Sequence, residues 1–190
     1  MMSYVRRLPI VAVIGSGDPD HGNPGLSEAV GRLIAEMGFH LLTGGGRGVM
    51  ADACRGFTSE PNRAGLALGI IPRSATGDEE KEGYPNPWVE LPIHTHLAGR
   101  LGPDGEDSRN PINILTARRI IALQGSEGTR AEIRLAVRYG RPVLAVTDEG
   151  REREEAGFLE FLKKMGIEHQ EVRREGDGWD LGAVRGFLSV

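Results

Sequence analysis

The chain has one cysteine, Cys54, too few for a disulfide framework or a zinc site built on several cysteines. It has no basic excess: 23 Lys and Arg stand against 27 Asp and Glu, a formal net charge of −4. That balance argues against a general affinity for nucleic acid or an anionic membrane, so any recognition of phosphate has to be local. No apolar run is long enough to span a bilayer. Arg6 and Arg7 precede Leu8–Ile14 in the manner of a signal peptide. That run is short, however, and passes straight into Gly15-Ser16-Gly17-Asp18-Pro19 with no small-residue cleavage site, so it reads as a buried strand. A reducing cytoplasm fits these absences, with neither nucleic acid nor membrane as a partner. What is abundant is glycine, 28 in 190 residues, set in short turns between apolar runs rather than in a low-complexity linker. The length suits one domain over 1–190 with a real core.

Short apolar runs alternate with helical patterns. Leu8–Ile14, Phe39–Leu42, Leu66–Ile71, Ile120–Leu123 and Val143–Val146 read as strands. Asn23-Pro24 makes an N-cap and first-turn pair. Leu26, Ala29, Val30, Leu33, Ile34 and Met37 then keep helical spacing up to Gly38. Further helices are expected over Val49–Phe57, Thr129–Tyr139, Glu154–Met165 and Leu181–Leu188. Such alternation predicts an α/β fold: a Rossmann-like, doubly wound parallel sheet in a three-layer α/β/α arrangement, binding ligands at the carboxyl ends of its strands. The stretch from Arg73 to Pro111 is polar, rich in proline and glycine and without a clean period. A connection that long inside a compact domain is more often functional than idle.

Several familiar motifs are missing. Gly15-Ser16-Gly17 follows the first strand but lacks the third glycine of a dinucleotide fingerprint, and the second strand ends in glycines rather than a ribose-binding acid. The glycine triplet Gly44-Gly45-Gly46 is followed by no Lys-Ser or Lys-Thr, so it is not a P-loop. Ser126 is not in a nucleophile-elbow pattern. His94 and His96 would share a face of a strand, as metal ligands sometimes do, but no third ligand has matching spacing, and no metal is expected.

Two glycine clusters carry the reading instead. In Leu123-Gln124-Gly125-Ser126-Glu127-Gly128-Thr129-Arg130-Ala131-Glu132, an apolar run enters a glycine-bracketed turn that opens a helix. A helix N-terminus offers free N–H groups and a positive dipole end to a phosphate. Thr129 and Glu132 also have the spacing of a capping box, a purely structural alternative. The second cluster, Thr43-Gly44-Gly45-Gly46-Arg47-Gly48-Val49-Met50, likewise joins a strand to a helix. Two such turns suggest two walls of one nucleotide site, with Gly15, Ser16 and Gly17 as its floor. Arg109 and Asn110, upstream of the Ile120 strand, can bring a guanidinium over the pocket.

With both clusters and Arg109 in view, the chain resembles the Lonely Guy (LOG) superfamily, whose members are often labelled lysine decarboxylases. It is most similar to the branch that includes molybdenum-cofactor carrier proteins. The first family signature, a glycine-triplet turn ending in Gly-Val/Leu-Met, matches Gly44-Gly45-Gly46-Arg47-Gly48-Val49-Met50. The second, Pro-Gly-Gly-x-Gly-Thr-x-x-Glu, matches at Gly125, Gly128, Thr129 and Glu132, with Gln124 in place of the proline and Ser126 in place of the second glycine. Where the family's hydrolases have a Met-His-x-Arg-Lys segment, this chain has Asp107-Ser108-Arg109-Asn110, closer to the Arg-Asn of the carriers.

The resemblance covers Val11 to Val146 and implies a homo-oligomer, dimer or tetramer, that binds a small phosphorylated, nucleotide-like ligand and requires no cofactor. The implied activity is hydrolysis of the N-glycosidic bond of a nucleoside 5′-monophosphate, giving free base and ribose 5-phosphate. Phosphate would sit at Gly128 and Thr129. Glu132 would stabilise an oxocarbenium-like sugar and activate water, and Arg109 would orient the nucleotide and help the base depart. The alternative is a non-enzymatic carrier or sensor of molybdenum cofactor or another phosphorylated ligand.

Overall fold

The computed structural model describes residues 7–74, 82–99, 107–149 and 152–190, without the side chains of 152–155. The first half contains β1 (Ile10–Ile14), α1 (Pro24–Glu36), β2 (His40–Thr43), α2 (Val49–Thr58), β3 (Ala67–Ile71) and β4 (Leu91–His94). The second half contains α3 (Asn110–Thr116), β5 (Arg119–Ala122), α4 (Glu127–Arg138), β6 (Val143–Asp148), α5 (Glu152–Met165) and β7 (Glu168–Val172). A two-stranded ribbon, β8 (Arg174–Glu175) with β9 (Gly178–Trp179), and α6 (Gly182–Ser189) complete it.

The seven long strands form one parallel sheet in the order β4-β3-β2-β1-β5-β6-β7. The chain winds outward from β1 in one direction, then returns to the other side of β1 at β5. Between these two strands the order reverses, and the crevice at their carboxyl ends is where such sheets bind ligands.

Successive residues of the central strands point to opposite faces. Val11 and Val13 of β1 pack in one core with Val30 and Ile34 of α1, Ala53 and Phe57 of α2 and Val184 of α6. Ala12 and Ile14 pack in another with Ile114 of α3, Ile133 of α4 and Phe158 of α5. Both faces of the sheet are thereby covered. The α1–α2 crossing is closer than side chains permit. A Cβ on Gly31 would lie 2.0 Å from the Ala53 carbonyl oxygen, and one on Gly56 would lie 2.0 Å from that of Glu28. Backbone meets backbone there.

The Arg73–Pro111 stretch is less formless than its sequence suggests, since it contains β4 and the start of α3. β4 lies at the sheet edge with all its residues exposed, so no alternation marks it, and Pro92 sits within it. The opposite edge, β7, is the polar Glu168–Val172 and was equally hidden. β4 ends at His94, so His96 lies beyond the strand rather than on its face. Among the described residues no cluster of His, Cys, Asp and Glu is suited to a metal ion, and no helix is long and apolar enough to cross a membrane.

Candidate functional site

A cavity of about 150 Å³ lies in the β1–β5 crevice. The β1–α1 turn contributes Gly15 and Gly17, the β2–α2 turn contributes Gly44, and Met50 comes from the first turn of α2. Arg109 and Asn110 enter from the start of α3, and Ser126, Gly128, Thr129 and Glu132 from α4 and its N-cap. Segments far apart in sequence thus converge, because each follows or caps an element at the same end of the sheet.

The other residues marked in the sequence stand behind this lining. The Ser16 N–H donates to the Gln124 carbonyl (3.1 Å), and the Ser16 carbonyl accepts from Val49 N–H (3.0 Å). Ser16 therefore ties three turns together without facing the cavity. Gly48 has φ +61°, and a Cβ there would lie 2.5 Å from the Ser16 carbonyl oxygen. The Gly45 N–H donates to Thr43 Oγ1 (3.0 Å), and its carbonyl accepts from Asn86 N–H (2.8 Å). The Gly46 carbonyl accepts from Asn86 Nδ2 (2.9 Å). A Cβ on Gly125 would lie 1.9 Å from Thr129 Oγ1. Gly45, Gly46, Gly48, Gly125 and Ser16 shape the walls and do not line the cavity.

The capping-box alternative does not describe the start of α4. The N-cap is Ser126, so Thr129 is already inside the helix, and no side chain caps the first turn. The turn instead opens on the cavity with Ser126, Gly128 and Thr129 on its wall. The Thr129 hydroxyl is buried and has no protein partner.

Arg109 is the most constrained charge here. It is only 5% exposed, and its Nε and Nη1 have no protein acceptor. Burial pushes its pKa down, while the Glu132 carboxylate and the Tyr84 phenol push it back up. Glu132 is raised by burial, against the pull of Arg109 and Asn113. Glu132 keeps partial access through the cavity, and Asn113 beside it is buried with its side-chain amide unpaired. Buried polar groups are seldom left unpaired, and here Arg109 and Thr129 present them around one uncapped helix N-terminus. The arrangement is built to take an anion.

Sequence reasoning missed Tyr84, which lines the cavity. It lies in the aperiodic stretch before β4, where neither hydrophobic period nor motif marks it. A partial signal was the Pro-Asn that follows it, since a buried Asn is expected to bind backbone.

A comparison with family profiles matches the SLOG cluster4 family over residues 8–174. An uncharacterized protein of Archaeoglobus fulgidus is 30% identical over 140 residues, 74% of this chain and 81% of that protein. Among solved structures, the molybdenum cofactor binding protein of Rippkaea orientalis is 29% identical with a TM-score of 0.63, covering 87% of this chain and 90% of its own. The molybdenum cofactor carrier protein of Chlamydomonas reinhardtii is 28% identical with a TM-score of 0.64, over 97% and 100%. The sheet order, the glycine turns that end β2 and β5 and the extent of the profile match agree: this chain belongs to the SLOG cluster4 family.

Proposed function

We propose that the chain holds a small phosphorylated ligand bearing a heterocycle, a nucleotide or a pterin phosphate, and serves as its carrier or sensor. The observation that carries this reading is Arg109: a buried guanidinium with Nε and Nη1 unpartnered, beside the uncapped N-terminus of α4. Leaving a buried charged donor unpaired costs several kcal/mol, on the order of 1–3 per lost bond. An anionic ligand removes that cost. The similarity to proteins described as binding or carrying molybdenum cofactor supports a pterin phosphate as the cargo.

Hydrolysis of the N-glycosidic bond is the second reading, favoured by Glu132 on the cavity wall. Glycoside hydrolysis commonly uses two carboxyl groups, and among the described residues Glu132 is the only acidic side chain lining the cavity. Burial also raises its pKa, which makes it a poorer ionised partner for a cationic sugar.

The test is incubation with a panel of nucleoside 5′-monophosphates, followed by chromatography for free base and by thermal melting. Carrier function predicts a raised melting temperature, intact nucleotide, and pterin fluorescence in the protein as purified. Free base from any nucleotide, lost in Glu132→Gln, establishes the hydrolase instead. No melting shift and no bound pterin would overturn both.

A further inference from the structure

A guanidinium at the end of a flexible side chain recognises an anion well only if its orientation is fixed in advance. Arg109 has little of its own to fix it: Nε and Nη1 lack protein partners, and the Glu132 carboxylate that lines the same cavity pulls on its charge without hydrogen-bonding those atoms. Tyr84 lines the same cavity, and its phenol lies close enough to the guanidinium to act on it electrostatically. Its ring rests on the β2–α2 turn, where a Cβ on Gly46 would lie 2.6 Å from both Cζ and the phenol oxygen. Gly44 makes the matching space for Arg109, since a Cβ there would lie 2.3 Å from Nη1 and Nη2.

The segment bearing Tyr84 is fastened on both sides. Asn86 is buried. Its N–H donates to the Gly45 carbonyl (2.8 Å), its Nδ2 donates to the Gly46 carbonyl (2.9 Å), and its Oδ1 accepts from Trp88 N–H (3.1 Å). On the other side Glu82 accepts from Arg47 Nη2 at 2.9 Å. The phenol is thus placed by backbone bonds to the same turn that leaves room for the guanidinium.

Resting on the anion-site reading above, we propose that Tyr84 is a positioning residue. Its phenol oxygen orients Arg109 toward the bound phosphate, and Asn86 latches Tyr84 to the β2–α2 turn. Tyr84→Phe keeps the ring and its packing and removes only the hydroxyl, which is both donor and acceptor.

The experiment is side-chain ¹⁵N NMR of the arginine guanidinium groups in the full chain, with Arg109 assigned by its loss in Arg109→Lys, alongside calorimetric titration with inorganic phosphate and adenosine 5′-monophosphate. The wild type is expected to give resolved, slowly exchanging Arg109 signals. Tyr84→Phe and Asn86→Ala are expected to broaden them, and Tyr84→Phe to weaken both ligands about tenfold with the ligand-free melting temperature held. Unchanged Arg109 signals in Tyr84→Phe overturn the proposal. Unchanged affinity with a correctly folded variant does the same. If the wild type binds neither ligand, the function reading falls, while the Arg109 signals still decide whether Tyr84 orients it.

Discussion

The β2–α2 and β5–α4 turns look alike in sequence, yet their glycines do different work. In the first, the missing side chains make room for the protein itself: Gly44 for Arg109, Gly46 for Tyr84, and Gly45, at φ +75°, for Ile71, whose Cδ1 would lie 2.5 Å from an added Cβ. In the second, Gly125 makes room for Thr129, but a Cβ on Gly128 would meet nothing within 4 Å. The space at Gly128 is cavity. A glycine-rich turn at a ligand site can thus admit a neighbouring side chain or admit a ligand, and only contact geometry separates the two.

The sharpest way to break this distinction is Gly44→Ala. The new methyl displaces the tip of the Arg109 side chain, which is flexible enough to swing aside. The ligand-free protein should therefore stay folded with little loss of stability in denaturant unfolding, while the melting shift given by phosphorylated ligands should be abolished. Gly128→Ala is the counterpart. Its φ is not positive, so alanine fits, and the stability of the ligand-free protein should hold or rise by up to about 1 kcal/mol. The same methyl fills the cavity, so ligand affinity should drop. A Gly128→Ala protein that binds normally would show that this glycine is not there for a ligand.

A smaller effect is expected at Thr129→Val. The hydroxyl has no protein partner, so an isosteric methyl should leave the empty protein unchanged or stabilise it by about 1 kcal/mol while weakening ligand binding. The smallest effect is on pH dependence. Burial raises the Glu132 carboxyl above its ordinary 4.5, so the folded chain holds that proton more tightly than the unfolded one. The stability this contributes is complete below about pH 4.5 and is lost as pH rises through the raised value. Wild-type stability measured against Glu132→Gln should therefore decline from acidic toward neutral pH. A flat difference would mean that Arg109 and Asn113 fully offset the burial.

The interior strands were legible because burial on both faces leaves unbroken apolar runs, as in Val11–Ile14 and Val143–Val146. The sheet edges were not. β4 is exposed throughout and interrupted by Pro92, and β7 is largely polar; proline and polar residues at an edge hinder pairing with another sheet. At the site, the glycine turns and Arg109 were visible, and the fold brings Gly15, Gly17, Gly44, Met50, Arg109, Asn110, Ser126, Gly128, Thr129 and Glu132 to one cavity. The sequence could not say that Gly45, Gly46, Gly48 and Gly125 answer to neighbouring atoms of the protein, since a glycine letter is the same in either case. Tyr84 was invisible because its role depends on a contact with Arg109, 25 residues along the chain.

The backbone-to-backbone crossing of α1 and α2 has a mechanical consequence. With Gly31 set against Ala53 and Gly56 against Glu28, no side chain lies between the two helices at those points to slide or re-rotamer. They behave as one stiff slab, and the β1–α1 and β2–α2 turns are fixed to its leading edge. The other side of the cavity is built differently: the short α3 carries Arg109 at its start, and the α4 N-terminus shares that cavity. Strain introduced at the two glycine contacts has no side chain there to absorb it and passes to the turns that line the cavity.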